Sequence, residues 1–173
     1  MRTAGAIAIS VVGFALVILI VCFVALKTGA LSARKKPGNF EYAVANYALK
    51  LSIPKAVKNA KNPERPTPAA LIDANKYFSE NCAVCHGNDG SGKTDTARGL
   101  SPEVPDLKAA HVQNLSDGEM FYIIKNGVRF TGMPAWNLRD EQIWKMVLLT
   151  RQLSRPGTSP ESRQNTSKQD STQ

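Results

Sequence analysis

The fold class the sequence predicts is all-α: a small helical domain with one apolar helix ahead of it. Three observations predict it. The N-terminus carries a long uncharged apolar run; residues 67–153 hold three stretches of helical periodicity with helix-start residues in front of them; and no alternating apolar and polar run suggests a strand. With 173 residues, 43% apolar and 21% charged, the chain has room for one ordinary domain plus extensions. Those values exclude a collagen, a wholly disordered chain and a polytopic membrane protein.

No side chain between Arg2 and Lys27 is charged, and the 23 residues from Ala4 to Leu26 would extend about 34 Å as a helix, against about 30 Å of bilayer hydrocarbon. Residues 1–26 are therefore read as a single-pass transmembrane signal-anchor. The competing reading is a cleaved secretory signal ending near Thr28-Gly29-Ala30, although the run exceeds the about 7–15 apolar residues of such signals. Cys22, inside the run after Leu19-Ile20-Val21, reads as a lipid-facing or packed thiol. Lys27, Arg34, Lys35 and Lys36 follow the span whereas only Arg2 precedes it, so charge alone would place the C-terminal side in the cytoplasm.

Residues 27–66 read as a basic linker, with nine Lys or Arg against two Glu, while residues 68–153 hold nine bases against ten acids. The net charge of +8 is thus concentrated beside the membrane segment rather than spread over the domain, which argues against a nucleic-acid partner. Within the linker Phe40, Val44, Tyr47 and Leu51 recur at i, i+4, i+7 and i+11, consistent either with a short helix ended by Pro54 or with a weakly helical linker. Residues 54–66, with Pro54, Pro63 and Pro66, read as an extended tether. Residues 67–153 form the predicted domain. Thr67-Pro68 starts its first helix, with Leu71, Ala74, Phe78 and Cys82 on one face. Ser116 and Glu119 make a capping box for a second helix through Met120, Ile123 and Ile124, with Gly127 at its exit. A third starts near Asp140 and runs through Ile143, Trp144, Val147 and Leu148 to about Leu153. Residues 154–173 are polar throughout and are expected to be disordered.

Cys82-Ala83-Val84-Cys85-His86 is a C-x-x-C-H sequence, the attachment motif of haem c. Two thiols three positions apart on a helical turn can add to the two vinyl groups on one porphyrin edge, leaving the His86 imidazole beneath the ring to meet the iron. A covalently held ring also supplies core to a domain of this size, which struggles to bury enough apolar surface unaided. A thioredoxin-like pair needs a βαβ setting, and a structural zinc site needs four ligands where only His111 could extend this set. Gly87-Asn88-Asp89-Gly90-Ser91-Gly92-Lys93-Thr94 matches the phosphate-loop pattern letter for letter. A phosphate cradle must, however, follow a buried strand and open a helix, whereas a helix precedes this run, so it is read as a turn along a cofactor edge and no nucleotide is expected.

The chain resembles the class I c-type cytochromes, specifically the bacterial monohaem kind with a membrane anchor. The resemblance covers Thr67 to Leu153. It rests on Cys82-Ala83-Val84-Cys85-His86-Gly87, Phe78 four residues before the first cysteine, Pro105-Asp106-Leu107, Asn126-Gly127 and Gly132-Met133-Pro134-Ala135-Trp136. It implies a small cytochrome c domain of three main helices around one covalent haem c, with His86 and Met133 as the iron ligands. It also implies that the Pro105 carbonyl accepts the Nδ1 proton of His86. Two departures stand out: Ala74 where relatives commonly have Gly at the crossing of the first and last helices, and Arg139 where they often have Ser or Thr, so that the cap must come from Asp140 or water. Met120 and Met146 read as core, His111 as a surface or propionate-side residue, and Trp136 and Trp144 as core or haem-packing residues.

With both axial positions filled there is no open site for substrate, so the expected role is single-electron transfer between redox partners in a respiratory or related chain, with no catalytic residues and no enzyme activity of its own. The alternative is the haem c subunit of a larger membrane oxidoreductase, such as a terminal oxidase, nitric oxide reductase or quinoprotein dehydrogenase, with the helix from Phe40 to Leu51 as a docking element. A peroxidase or gas sensor would need a vacant or labile sixth position. The resemblance also implies attachment of the haem outside the cytoplasm, so the domain is expected on the periplasmic or extracytoplasmic face of the inner membrane despite the lysines.

Overall fold

The computed structural model describes residues 2–29, 32–33 and 35–155, so most of the polar tail, from position 156 onward, lies outside the described residues. The chain divides into two units, Met1–Lys35 and Lys36–Gln173. The first is one helix, α1 (Arg2–Lys27). Its stretch Ile9–Lys27 is long and apolar enough to cross a bilayer, and none of its residues is buried within the protein. An N-terminal membrane anchor and a signal sequence share that property.

The second unit is helical, and among the described residues no strand occurs. Its helices are α2 (Asn39–Ser52), α3 (Lys55–Lys58), α4 (Pro68–Tyr77), α5 (Ala83–His86), α6 (Ala110–Gln113), α7 (Asp117–Asn126) and α8 (Asp140–Leu153). A π turn, Phe78–Cys82, joins α4 to α5, and a 3-10 turn, Ala97–Gly99, lies between α5 and α6. The sequence signals explain the starts of the long helices. The Thr67 hydroxyl accepts the Ala70 amide proton at 3.2 Å, with Pro68 in the first turn. The Ser116 hydroxyl accepts from the Glu119 amide at 3.1 Å while the Glu119 carboxylate accepts from the Ser116 amide at 2.8 Å. At α8 the expected cap is corrected: the Gln142 side-chain oxygen, one turn inside the helix, accepts the Arg139 amide proton at 3.2 Å.

Two clusters of five buried residues make the core, and α8 serves both. Ala74, Phe78, Met146, Leu149 and Leu153 form one, and Val112, Met120, Phe121, Ile143 and Val147 the other, with Leu107 and Ile124 packed against each. Ile143 and Val147 are fully enclosed, a burial that contributes about 1.5–3 kcal/mol apiece. Ala74 is buried on the α4 face that meets α8, so its methyl group is part of the crossing. Arg151, late in α8, gathers the segment before α7: its guanidinium donates to the carbonyls of Gln113 and Leu115 and to the Asp117 carboxylate.

Residues 54–66 are not the extended tether expected from their prolines. Ile53 is buried, and Val57 packs on the cluster beneath α7. The Lys58 carbonyl accepts from the Ser116 hydroxyl at 2.7 Å, and the Lys58 ammonium lies 3.2 Å from the Glu119 carboxylate. Farther on, the Asn62 amide donates to the Trp144 carbonyl at 3.0 Å. The physical reason is that none of these interactions needs a strap amide proton: the strap contributes a carbonyl at Lys58 and the side chains of Val57, Lys58 and Asn62, all of which a proline-rich segment keeps.

Candidate functional site

The motif cysteines and histidine sit where α4 gives way to α5. The π turn inserts a residue into the helical spiral, marked by the Ala83 amide reaching back to the Phe78 carbonyl. Phe78 stays buried, whereas Cys82, Cys85 and His86 emerge half-buried. Burial, and secondarily Cys85, pushes the Cys82 thiol up to about 11. A redox-active dithiol needs the opposite, a thiol pKa lowered by positive charge or a helix N-terminus. Burial also lowers the pKa of His86, with the nearby Pro105 carbonyl opposing it, so the imidazole is neutral at pH 7 with a lone pair available for a metal. His86 Nδ1 is buried and has no hydrogen-bond partner of ordinary geometry, although the Pro105 carbonyl is near enough to act on it.

The run that imitates a phosphate loop is a brace for this turn. Gly87 closes α5 at φ 73°, its amide donating to the Ala83 carbonyl at 2.8 Å. The Gly92 amide donates to the His86 carbonyl at 2.8 Å. A Cβ on Gly92 would lie 2.6 Å from the Val104 carbonyl oxygen and 3.1 Å from that of Pro105, so a glycine there lets the Pro105 segment close on His86. The Thr94 hydroxyl faces the carbonyls of Val84 and Cys85 at 2.8 and 3.2 Å and accepts the Ala97 amide proton at 3.0 Å.

Met133 lies half-buried on the loop after α7. Its amide donates to the Thr131 hydroxyl at 3.1 Å, and its carbonyl accepts from Val128 at 3.1 Å. Gly127 makes the loop possible: at φ 66°, its backbone leaves no room for a Cβ, which would fall 2.5 Å from the Pro134 carbonyl carbon and 2.7 Å from the Met133 oxygen. On the far side the Trp136 amide donates to the Lys125 carbonyl at 3.1 Å, and its ring meets Tyr77 edge-on, centroids 5.9 Å apart. Leu100 packs against Gly132, where a Cβ would fall 2.7 Å from its methyl groups.

Of the predicted site residues, the structure brings Cys82, Cys85, His86 and Pro105 together. Met133 stands on a separate loop and shares no hydrogen bond with that group among the described residues. Met120 and Met146 are buried in the two clusters, Trp144 stacks on Phe121 at 4.2 Å, and His111 is exposed on α6. Gly92 and Thr94 were legible only as parts of a turn; their link to α5 and to residues 104–105 is tertiary. Among the described residues, no three His, Cys, Asp or Glu side chains gather to hold a metal ion. The donors present, two half-buried thiols on one turn, a neutral imidazole with an orphaned Nδ1 and a thioether loop, suit haem c.

Residues 69–148 match the family model described as cytochrome c oxidase, cbb3-type, subunit III. Among solved structures, a chain of the Kuenenia stuttgartiensis reducing HAO-like protein complex aligns with a TM-score of 0.50 at 22% identity, over 54% of this chain and 47% of that one. A likeness of that degree shows a shared fold, and the present chain spans about half the length of that neighbour. No curated protein matches.

Proposed function

We propose that this chain, whose residues 69–148 form a c-type cytochrome domain, is a membrane-anchored carrier of single electrons with one haem c. Haem c supplies an iron that cycles between Fe(II) and Fe(III). In this reading Cys82 and Cys85 would hold the ring by thioether links, His86 and Met133 would coordinate the iron, and the Pro105 carbonyl would hold the Nδ1 proton, fixing the imidazole plane and its tautomer. A histidine and methionine pair raises the reduction potential relative to two histidines. Leu107 and Ile124, packed on both core clusters, would help exclude water from the bound group.

The observation that carries the reading is the buried, unpartnered Nδ1 of His86, one residue beyond two thiols on a single helical turn and beside the Pro105 carbonyl. Mass spectrometry of the mature polypeptide tests it: an added haem retained after denaturation, lost in Cys82→Ala/Cys85→Ala, is expected, and an unmodified chain would refute it. For Met133 the test is ligation. The oxidised protein should show the far-red charge-transfer band of a thioether ligand, and Met133→Ala should lose that band and bind carbon monoxide when reduced. Carbon monoxide binding by the parent protein would favour a sensor or peroxidase instead.

α1 supports anchorage in the inner membrane, and attachment of haem c outside the cytoplasm supports an extracytoplasmic domain against the basic residues that follow α1. Proteolysis of intact spheroplasts should release the haem domain; its survival would reverse the topology. A second reading, the haem subunit of a larger membrane oxidoreductase, draws support from the subunit named in the matching family. Stoichiometric subunits retained through detergent purification would favour it over a free shuttle.

A further inference from the structure

We infer that α2 is an interfacial helix whose outer face lies in an anionic membrane surface. The inference rests on the reading of α1 as a membrane anchor. At about 100° per residue, Phe40, Val44, Tyr47 and Leu51 fall within about 60° of arc on α2. All four project into solvent, with exposures of 82%, 51%, 66% and 68%. The opposite side is less exposed: Asn46 and Leu49 are half-buried there, Tyr42 is 48% exposed, and Ile53, just past the helix end, is buried. The outer face is thus apolar without a partner among the described residues, on a helix that buries no residue fully.

Charge and chain continuity select a lipid surface as the occupant. Residues 27–66 carry nine bases against two acids, and Lys50, Lys55 and Lys61 are exposed beside and beyond the helix. α2 itself carries Lys50 at one margin and Glu41 at the other, so the positive charge comes from the flanking segments; an apolar and aromatic face between basic flanks suits a helix that lies in the headgroup region, where basic residues meet anionic lipid. α2 begins only twelve residues after α1 ends, so the covalent chain holds it within about 40 Å of the end of that span. Tyr47 suits the boundary between hydrocarbon and headgroups, with an apolar ring and a polar tip. The consequence is a carrier held close to the bilayer, in place of one free to move on the linker that follows α1.

The test is hydrogen exchange of the haem-loaded full chain in nanodiscs, one chain per disc, of phosphatidylcholine alone or mixed three to one with phosphatidylglycerol. The comparison is Phe40→Ala/Val44→Ala/Tyr47→Ala/Leu51→Ala, which keeps helix propensity because alanine is the best helix former. An unchanged haem spectrum shows that the domain is intact. Amides of residues 39–52 should exchange at least about tenfold more slowly in the parent than in the variant, and more slowly in the anionic discs than in the neutral ones. Equal exchange in parent and variant, with residues 4–26 protected, would overturn the inference and leave the anchor standing. Residues 4–26 exchanging freely would remove the anchor and the inference together. Equal protection in both lipids would overturn the assignment to anionic lipid, and protection seen only with two chains per disc would assign the face to a second copy.

Discussion

Gly127 shows how one missing side chain positions a metal-ligand candidate several residues away. Both its positive φ and the crowding by Met133, Pro134 and Ala135 forbid a Cβ, so Gly127→Ala must move the loop that presents Met133. The expected cost is about 1–3 kcal/mol, together with loss of the thioether spectral band, read in the oxidised protein. Gly99→Ala is the control, because nothing lies within 4 Å of the added methyl group and φ there is ordinary. Its spectrum and melting temperature should be unchanged. At this scale legibility was uneven for a physical reason. Cys82, Cys85 and His86 announce themselves because their chemistry depends on spacing along the chain. Met133 was marked only by its family-like loop, since a methionine has no spacing rule of its own. The roles of Gly92 and Thr94 depend on carbonyls that every residue owns.

Among the elements, α7, α8 and the start of α4 were readable to within a residue or so, because Thr67, Ser116 and the apolar faces behind them each state one local rule, whereas the first helix, expected to carry Cys82 on the face of Phe78, gives way to a π turn after Tyr77. The strap from Ile53 to Arg65 was not. It buries little and rests on α7 through backbone, so close that a Cβ on Gly118 would fall 1.8 Å from the Val57 carbonyl oxygen. A glycine in the first turn of an otherwise well-capped helix was the one available clue to that approach. Gly118→Ala is expected to lift the strap and cost about 2–4 kcal/mol, seen as a lower denaturation midpoint and faster amide exchange over residues 53–60. The same junction has a pH signature. Burial alone would raise the Glu119 carboxyl pKa, but the Ser116 amide and the Lys58 ammonium more than offset it and hold it below the ordinary value of 4.5. Because the folded pKa is depressed, the stabilisation is present above the unfolded pKa and is lost as the pH falls through the lower folded one. Between about pH 5 and pH 3 the parent should therefore lose more stability than Glu119→Gln, whose unfolding midpoint lacks that contribution. Equal losses would mean the carboxylate is not stabilised by its partners.

For the molecule as a whole, the domain predicted by sequence at 67–153 recruits material from outside those bounds, and its size explains why. A helical unit this small buries a modest fraction of its surface. Its core is two clusters of five, and the strap extends one of them with Val57. Leu107 and Ile124, packed on both clusters, remain only half-buried, as do Leu100 and Met133 on the loops nearby. A flat hydrophobic ring held as proposed would cover these residues, so that its attachment and completion of the core would be coupled. It follows that the full chain carrying Cys82→Ala/Cys85→Ala, made without covalent haem, should keep much of its far-ultraviolet helical signal, since α4, α7 and α8 have their own caps. It should lose the fixed packing of Trp136 on Tyr77 and of Trp144 on Phe121, and with it the near-ultraviolet signal and a cooperative thermal transition. A sharp melt in the haem-free variant, at the temperature of the loaded protein, would show that the two clusters suffice and that the half-buried residues between them await something other than a porphyrin.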